Sequence, residues 1–250
     1  MEQEQHGGIQ NLWATAMKVF WQKYGEWNAK QQEQTPLQSR ILMFHDVCPE
    51  GETPVDAYAC TISALENSIR YHQSHGFTFV SLDELLNMPP AEALSGKCVL
   101  TFDDGYAHIA SCAAPWLNEH DIPYTLYICT DLLNKDGYLS GSELQKLAEN
   151  PLCTVGSHGV SHRMLRFLPR RDARNEFSHS KTVLESMLGR PVRHFAFPYG
   201  SGYACGHRES ALAKRCGYAT AALTLPVALS SLTAGSLYRL PRMNMPHTEP

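Results

Sequence analysis

The 250-residue sequence contains no run of about 18 apolar residues, which excludes a membrane-spanning helix. No basic run stands out from a formal charge of -4, made of 21 basic and 25 acidic residues, so a nucleic-acid footprint has no support. The opening residues, MEQEQHGGIQ, have neither the basic nor the apolar region of a secretory signal, which predicts a cytoplasmic protein, the alternative being a processed start that has been removed. None of the eight cysteines forms a CxxC pair, and their spacing suits neither a disulfide scaffold nor a zinc knuckle. Cys98, Cys129 and Cys153 sit inside apolar runs, where a thiol behaves as a small core hydrophobe; this fits a reducing compartment. Internal repeats and low-complexity tracts are also missing. At 43% hydrophobic and 18% charged residues, extensive disorder is excluded.

Two regions are legible. In residues 1–38, Ile9, Leu12, Trp13, Ala16, Met17, Phe20, Tyr24 and Trp27 recur at helical spacing, and a polar linker, QQEQTPLQS, follows. The polar face mixes Lys18, Lys23, Glu26 and Lys30 and is not uniformly basic. This predicts an amphipathic helix that docks on the rest of the protein, with peripheral membrane association as the alternative. Residues 39–250 alternate short apolar strands with helices. The strand runs are ILMFHDV, FTFVS, CVLTF, YTLYIC, LCTVGS, HFAF and YATAALTL, with a last extended piece at LYRLP. Helices are expected across 57–75, from a capping box at Ser81 and Glu84 through Leu86, up to about His120, and over 142–149, 170–188 and 207–216. Uninterrupted apolar strands between helices indicate an α/β fold with a parallel sheet. Seven or eight such units in this length indicate a closed (β/α) barrel.

In parallel α/β folds the chemistry gathers at the carboxyl ends of the strands. There the sequence places His45 and Asp46, Asp103 and Asp104, Thr130 and Asp131, Ser157 and His158, and Pro198 and Tyr199. Two adjacent carboxylates facing one pocket repel each other, and a divalent cation relieves the conflict by taking one and leaving the other as a base. His158 and His162, four apart, can chelate the same ion. His72 and His75 are also closely spaced but have no such context, and read as a solvated helix face. One aspartate and two histidines leave coordination positions open, as in a catalytic zinc-type site that activates water and polarises a carbonyl. Cobalt, nickel or iron would suit the same donors.

TFDDGY, SHGVSH and FAFPYG, in this order and spacing, resemble the motifs of the polysaccharide deacetylases, carbohydrate esterase family 4. The resemblance spans roughly residues 40–245. It implies a distorted (β/α)7–8 barrel, one divalent metal ion, most simply zinc, and an acetylated glycan as substrate. By this resemblance Asp103 is the catalytic base and Asp104, His158 and His162 are metal ligands. Pro198 and Tyr199 form the substrate-binding loop, with the Tyr199 backbone N–H on the oxyanion.

Two departures stand out. The arginine that many members carry two residues before the proline is Ala196 here, and the C-terminal Leu-x-His motif that supplies the general acid is replaced by YRLPRMN. ILMFHDV is similar to the first strand of the poly-N-acetylglucosamine deacetylase subset, which implies that His45 acts as the acid. The alternatives are a His45 bonded to Asp46, and His247 as the acid. Arg239 or Arg242 is expected to replace the missing arginine beside Asp103, and Arg242 is counted among the substrate-binding residues. The function implied is metal-dependent removal of N-acetyl groups from a glycan. The alternatives are O-acetyl ester hydrolysis and a catalytically impaired glycan-binding module.

Overall fold

The computed structural model describes residues 37–54 and 58–245. The helix expected over residues 9–30, and His247, lie outside the described residues.

Seven parallel strands form an irregular ring: β1 (Arg40–Phe44), β5 (Lys97–Asp104), β6 (Tyr124–Ile128), β7 (Cys153–Ser157), β8 (His194–Ala196), β9 (Thr220–Ala222) and β10 (Met243–Asn244). The sheet path runs β10-β1-β5-β6-β7-β8-β9. Its two edges are bridged by a single segment. Leu240 lies parallel against Ala222, while Met243 and Asn244 pair with Leu42 and Met43. The short β4 (Thr78–Phe79) adds to the start of β5, and β2 (Val47–Cys48) pairs with β3 (Cys60–Thr61) in a separate two-stranded sheet.

The helices are α1 (Ile62–Ser74), α2 (Leu82–Asn87), α3 (Pro90–Ala93), α4 (Ala114–Glu119), α5 (Gly141–Ala148), α6 (Arg170–Leu188) and α7 (His207–Arg215). The expected capping box is present: the Ser81 hydroxyl accepts from the Glu84 amide, and the Glu84 carboxylate accepts from the Ser81 amide. The helix expected from residue 57 begins at Ile62, because Cys60 and Thr61 are drawn into pairing with Val47 and Cys48, and Thr61 then caps the helix. LYRLP is not one extended piece. Ser236–Tyr238 is a 3₁₀ turn, and the closing segment starts at Leu240. Among the described residues, no helix is long and apolar enough to cross a membrane.

Alternate strand residues face opposite layers. Cys98, Leu100 and Phe102 of β5 join the main cluster beneath the helices, whereas Val99 joins Ile41, Ala222 and Leu240 in a second cluster, packed with Leu82 and Leu85 of α2. Thr101 and Asp103 share the side of Val99, above that cluster, so the polar end of the ring rests on an apolar floor. Cys98, Cys129 and Cys153 are buried and unbridged, as expected of core thiols.

Candidate active site

Asp103 and Asp104 are the last two residues of β5, both buried, and Asp104 has φ of 71°. In a regular strand these neighbours would point to opposite faces. The left-handed turn at Asp104 brings both carboxylates to the same end of the ring. His162 (φ 51°) and Tyr199 (φ 62°) are left-handed as well, so three strained non-glycine residues converge here. Tyr199 is held in this geometry by its neighbour. A Cβ on Gly200 would lie 2.2 Å from Thr224 Oγ1, and the Gly200 carbonyl accepts from the Thr224 amide at 2.9 Å.

Asp104 Oδ1 lies 3.5 Å from His158 Nε2 and 3.3 Å from His162 Nε2. One donor atom from each of the three falls within 4.8 Å of the others. His158 Nδ1 is 2.9 Å from the Ala196 carbonyl; donating its proton there leaves the Nε2 lone pair facing Asp104. Burial, only partly offset by Asp103, lowers the His158 pKa to about 3, and burial also lowers that of His162. Both imidazoles are therefore neutral near pH 7, the state a metal ligand requires. Donor type, spacing and protonation all fit a divalent cation held by one oxygen and two nitrogens.

Asp103 is not part of that donor set. Arg242 Nη1 donates to its Oδ1 at 2.6 Å and Nη2 to its Oδ2 at 2.7 Å, a bidentate pair with both side chains buried. Burial opposes ionisation of Asp103, but the guanidinium outweighs it and holds the carboxyl well below the usual range. Its Oδ2 remains 3.8 Å from His158 Nε2. Of the two candidate arginines, Arg242 is thus the one beside Asp103. Its expected place among substrate-binding residues is corrected: it is 0% exposed and also bonds the Leu223 carbonyl and the Thr101 hydroxyl, leaving no surface for a glycan.

His45 follows β1 with its ring 5.1 Å from that of Tyr58. It does not bond Asp46, whose two carboxylate oxygens lie 3.1 and 3.0 Å from His108 Nδ1. His45 Nδ1 is buried with no hydrogen-bond partner among the described residues. The Tyr199 ring is half-exposed and 4.8 Å from His162, while Pro198 is buried behind it. Thr130 and Asp131 contribute backbone only: their amides donate to the Gly159 and Val160 carbonyls, at 3.1 and 2.9 Å.

Two further residues go beyond what the sequence suggested. His72 is not solvated. It is 2% exposed, with Nδ1 2.7 Å from the Ser68 carbonyl, whereas His75 is exposed. The second concerns Glu176, a site neighbour not singled out from the sequence. It is buried on α6 against the turn that carries His158 and His162. Its signal was present, because it falls on the stripe of Ala173, Phe177, Ser180 and Leu184 that α6 buries.

The polysaccharide deacetylase family model matches residues 92–221, which include all three motifs. YxkH of Bacillus subtilis (strain 168), whose name places it with the same family, is 24% identical over 199 residues, covering 78% of this chain and 67% of that protein. The crystal structure of a polysaccharide deacetylase from Bacillus cereus superposes with a TM-score of 0.72 at 21% identity, over 85% of this chain and 66% of the other. A de-N-acetylase from Aggregatibacter actinomycetemcomitans gives a TM-score of 0.73 at 14% identity, over 85% and 97%. This chain spans about two thirds of the length of the two Bacillus relatives. The matched model covers more than half of the sequence, and the chain belongs to the polysaccharide deacetylase family.

Proposed function

We propose that this protein is a metal-dependent deacetylase that removes N-acetyl groups from amino sugars of a glycan, releasing acetate. The observation that carries the reading is an ionised, arginine-held Asp103 next to a three-donor cluster on the rim of a parallel barrel. Asp104, His158 and His162 would hold the ion. When bound, it polarises an acyl oxygen and lowers the pKa of water toward 7.

The chain's own groups account for the other requirements of amide hydrolysis. Asp103 stays ionised across the working range and accepts the proton of the attacking water. Arg242 keeps that carboxylate oriented, at some cost to its basicity. The Tyr199 backbone N–H, fixed by the left-handed turn and by Gly200 against Thr224, is a preorganised donor for the acyl oxygen as it gains charge. An amide nitrogen cannot leave as an anion near neutral pH, so a proton donor is required. His45 supplies it: it follows β1 at the same end of the ring, and its Nδ1 is not committed to a neighbour. A site with a proton donor suits an N-acetyl substrate, whereas the leaving group of an O-acetyl ester needs less help.

The test is acetate release from a panel of N- and O-acetylated glycans, with and without chelator, by wild type and Asp103→Asn. Chelator-sensitive release that Asp103→Asn loses supports the reading. Release only from O-acetylated members replaces it with an esterase, and release from none by metal-loaded protein refutes it.

A further inference from the structure

The turn that carries both histidines is clamped from two sides by groups that touch neither a metal nor a substrate. From the strand side, the amides of Thr130 and Asp131 bond the carbonyls of Gly159 and Val160. From the helix side, the Glu176 carboxylate lies under the turn. Its Oε2 accepts from the Val160 amide at 2.7 Å and the Ser161 amide at 3.0 Å, and the Ser161 hydroxyl donates to Oε1. Glu176 is 6% exposed, and no cation pairs with it among the described residues.

A carboxylate buried without a cation is costly, and amide and hydroxyl donors compensate only in part. A cation held by the Asp104, His158 and His162 cluster would add to that compensation. The stored geometry points the same way. His162, the next residue, has φ of 51°, a conformation that a β-carbon disfavours and that persists only when its surroundings impose it. The bonds to Val160 and Ser161 hold the chain immediately before that residue.

We infer that Glu176 is a positioning residue: its carboxylate sets the turn that presents His162, and its charge adds to the affinity of the Asp104, His158 and His162 cluster for a divalent cation. The inference rests on the reading of that cluster as a metal site. The glutamate does two things that substitution can separate. In Glu176→Gln, the amide oxygen can still accept from both backbone N–H groups, and the amide nitrogen can donate to the Ser161 hydroxyl, which turns round to accept. Geometry is kept and the charge is lost. In Glu176→Ala both are lost.

The experiment uses the full chain stripped of metal, with cobalt(II) as the probe. Affinity is read by competition with a chromophoric chelator, ligand geometry by the visible cobalt spectrum, and folding by denaturation in the presence of chelator. Losing a partner that orients a ligand typically costs about 10–100-fold in metal affinity, the range expected for Glu176→Ala. Glu176→Gln should keep the wild-type cobalt spectrum, with an affinity between those of wild type and Glu176→Ala. A purely structural glutamate would lower chelated stability and leave the affinity and spectrum of the folded fraction unchanged, which overturns the inference. If Glu176→Ala does not fold, Glu176→Gln decides alone: affinity equal to wild type overturns the inference, and weaker binding with an unchanged spectrum supports it. A wild type that takes up no cobalt refutes the metal reading itself, whereas a wild type that binds cobalt no better than Glu176→Ala refutes only the role of Glu176.

Discussion

Removing the Arg242 side-chain charge should be among the most damaging single changes in this protein. Arg242→Met keeps much of the chain length and apolar stem, but strands Asp103, whose two oxygens take their short bonds from Arg242. Both residues are almost wholly buried, and Arg242 is the largest fully buried side chain among the described residues. Breaking a buried pair from one side leaves an uncompensated charge and costs about 3–5 kcal/mol. For a domain of this size that lowers Tm by about 2–4 °C per kcal/mol. The pH dependence should also change sign. In wild type, Asp103 is held below its unfolded pKa, so its contribution is present above about pH 4 and is lost as pH falls further. In Arg242→Met the guanidinium is gone and burial, which raises a carboxyl pKa, is left unopposed. The folded state then binds the proton first, and the variant recovers part of its deficit as pH falls from 7 toward 4. The assay is urea denaturation with chelator present, at several pH values, comparing midpoints at unchanged slope. The double variant Asp103→Asn, Arg242→Met should be more stable than Arg242→Met alone, because no charge is left unpaired. A loss below about 1 kcal/mol for Arg242→Met, or a deficit that grows on acidification toward pH 4, would refute this reasoning.

The same geometry makes three further predictions. Asp103→Asn should retain one metal ion per chain by elemental analysis yet lose about 10²–10⁴-fold in turnover, because the amide keeps the shape without the basicity; near wild-type turnover would move the base elsewhere. His45→Ala should lose a similar factor on an N-acetyl substrate and much less on an activated acetyl ester, and equal small losses on both would reduce His45 to a support of its strand end. Buried His72 has its pKa lowered to about 4 by burial, so the unfolded chain takes up a proton near pH 6.5 that the folded chain refuses. Wild type should therefore lose about 2 kcal/mol between pH 7 and pH 5 relative to His72→Asn, and a flat difference over that range would contradict it.

The barrel is legible in the sequence because β1, β5, β6 and β7 are short apolar runs, and α2 and α5 open on capping boxes. Helix α6, expected over residues 170–188, spans Arg170–Leu188. The motif residues are legible for a related reason, since Asp104 ends β5, His158 directly follows β7 and His162 lies on the turn beyond it, and the three converge in space. The closing segment is harder. RLPRMN is short and half polar, and Arg242 is buried only because Asp103 waits opposite it, a contact 139 residues away in sequence. Periodicity cannot show which of two nearby arginines will meet a carboxylate across a ring. His72 and Glu176 illustrate a different lesson. Both are polar residues on the buried stripes of their helices, beside Leu65 and Ile69 in α1 and beside Ala173 and Phe177 in α6. Each finds its partner inside the fold, so helix phase outweighs residue type.

The central claim, that acetyl groups are removed from nitrogen, has a direct measurement: the stoichiometry of the two products on an N-acetylated oligosaccharide. With metal-loaded protein, acetate and new primary amine should appear together, one for one, and both should vanish with chelator. Acetate without amine would show that oxygen is the atom deacylated, and neither product under those conditions would contradict the account.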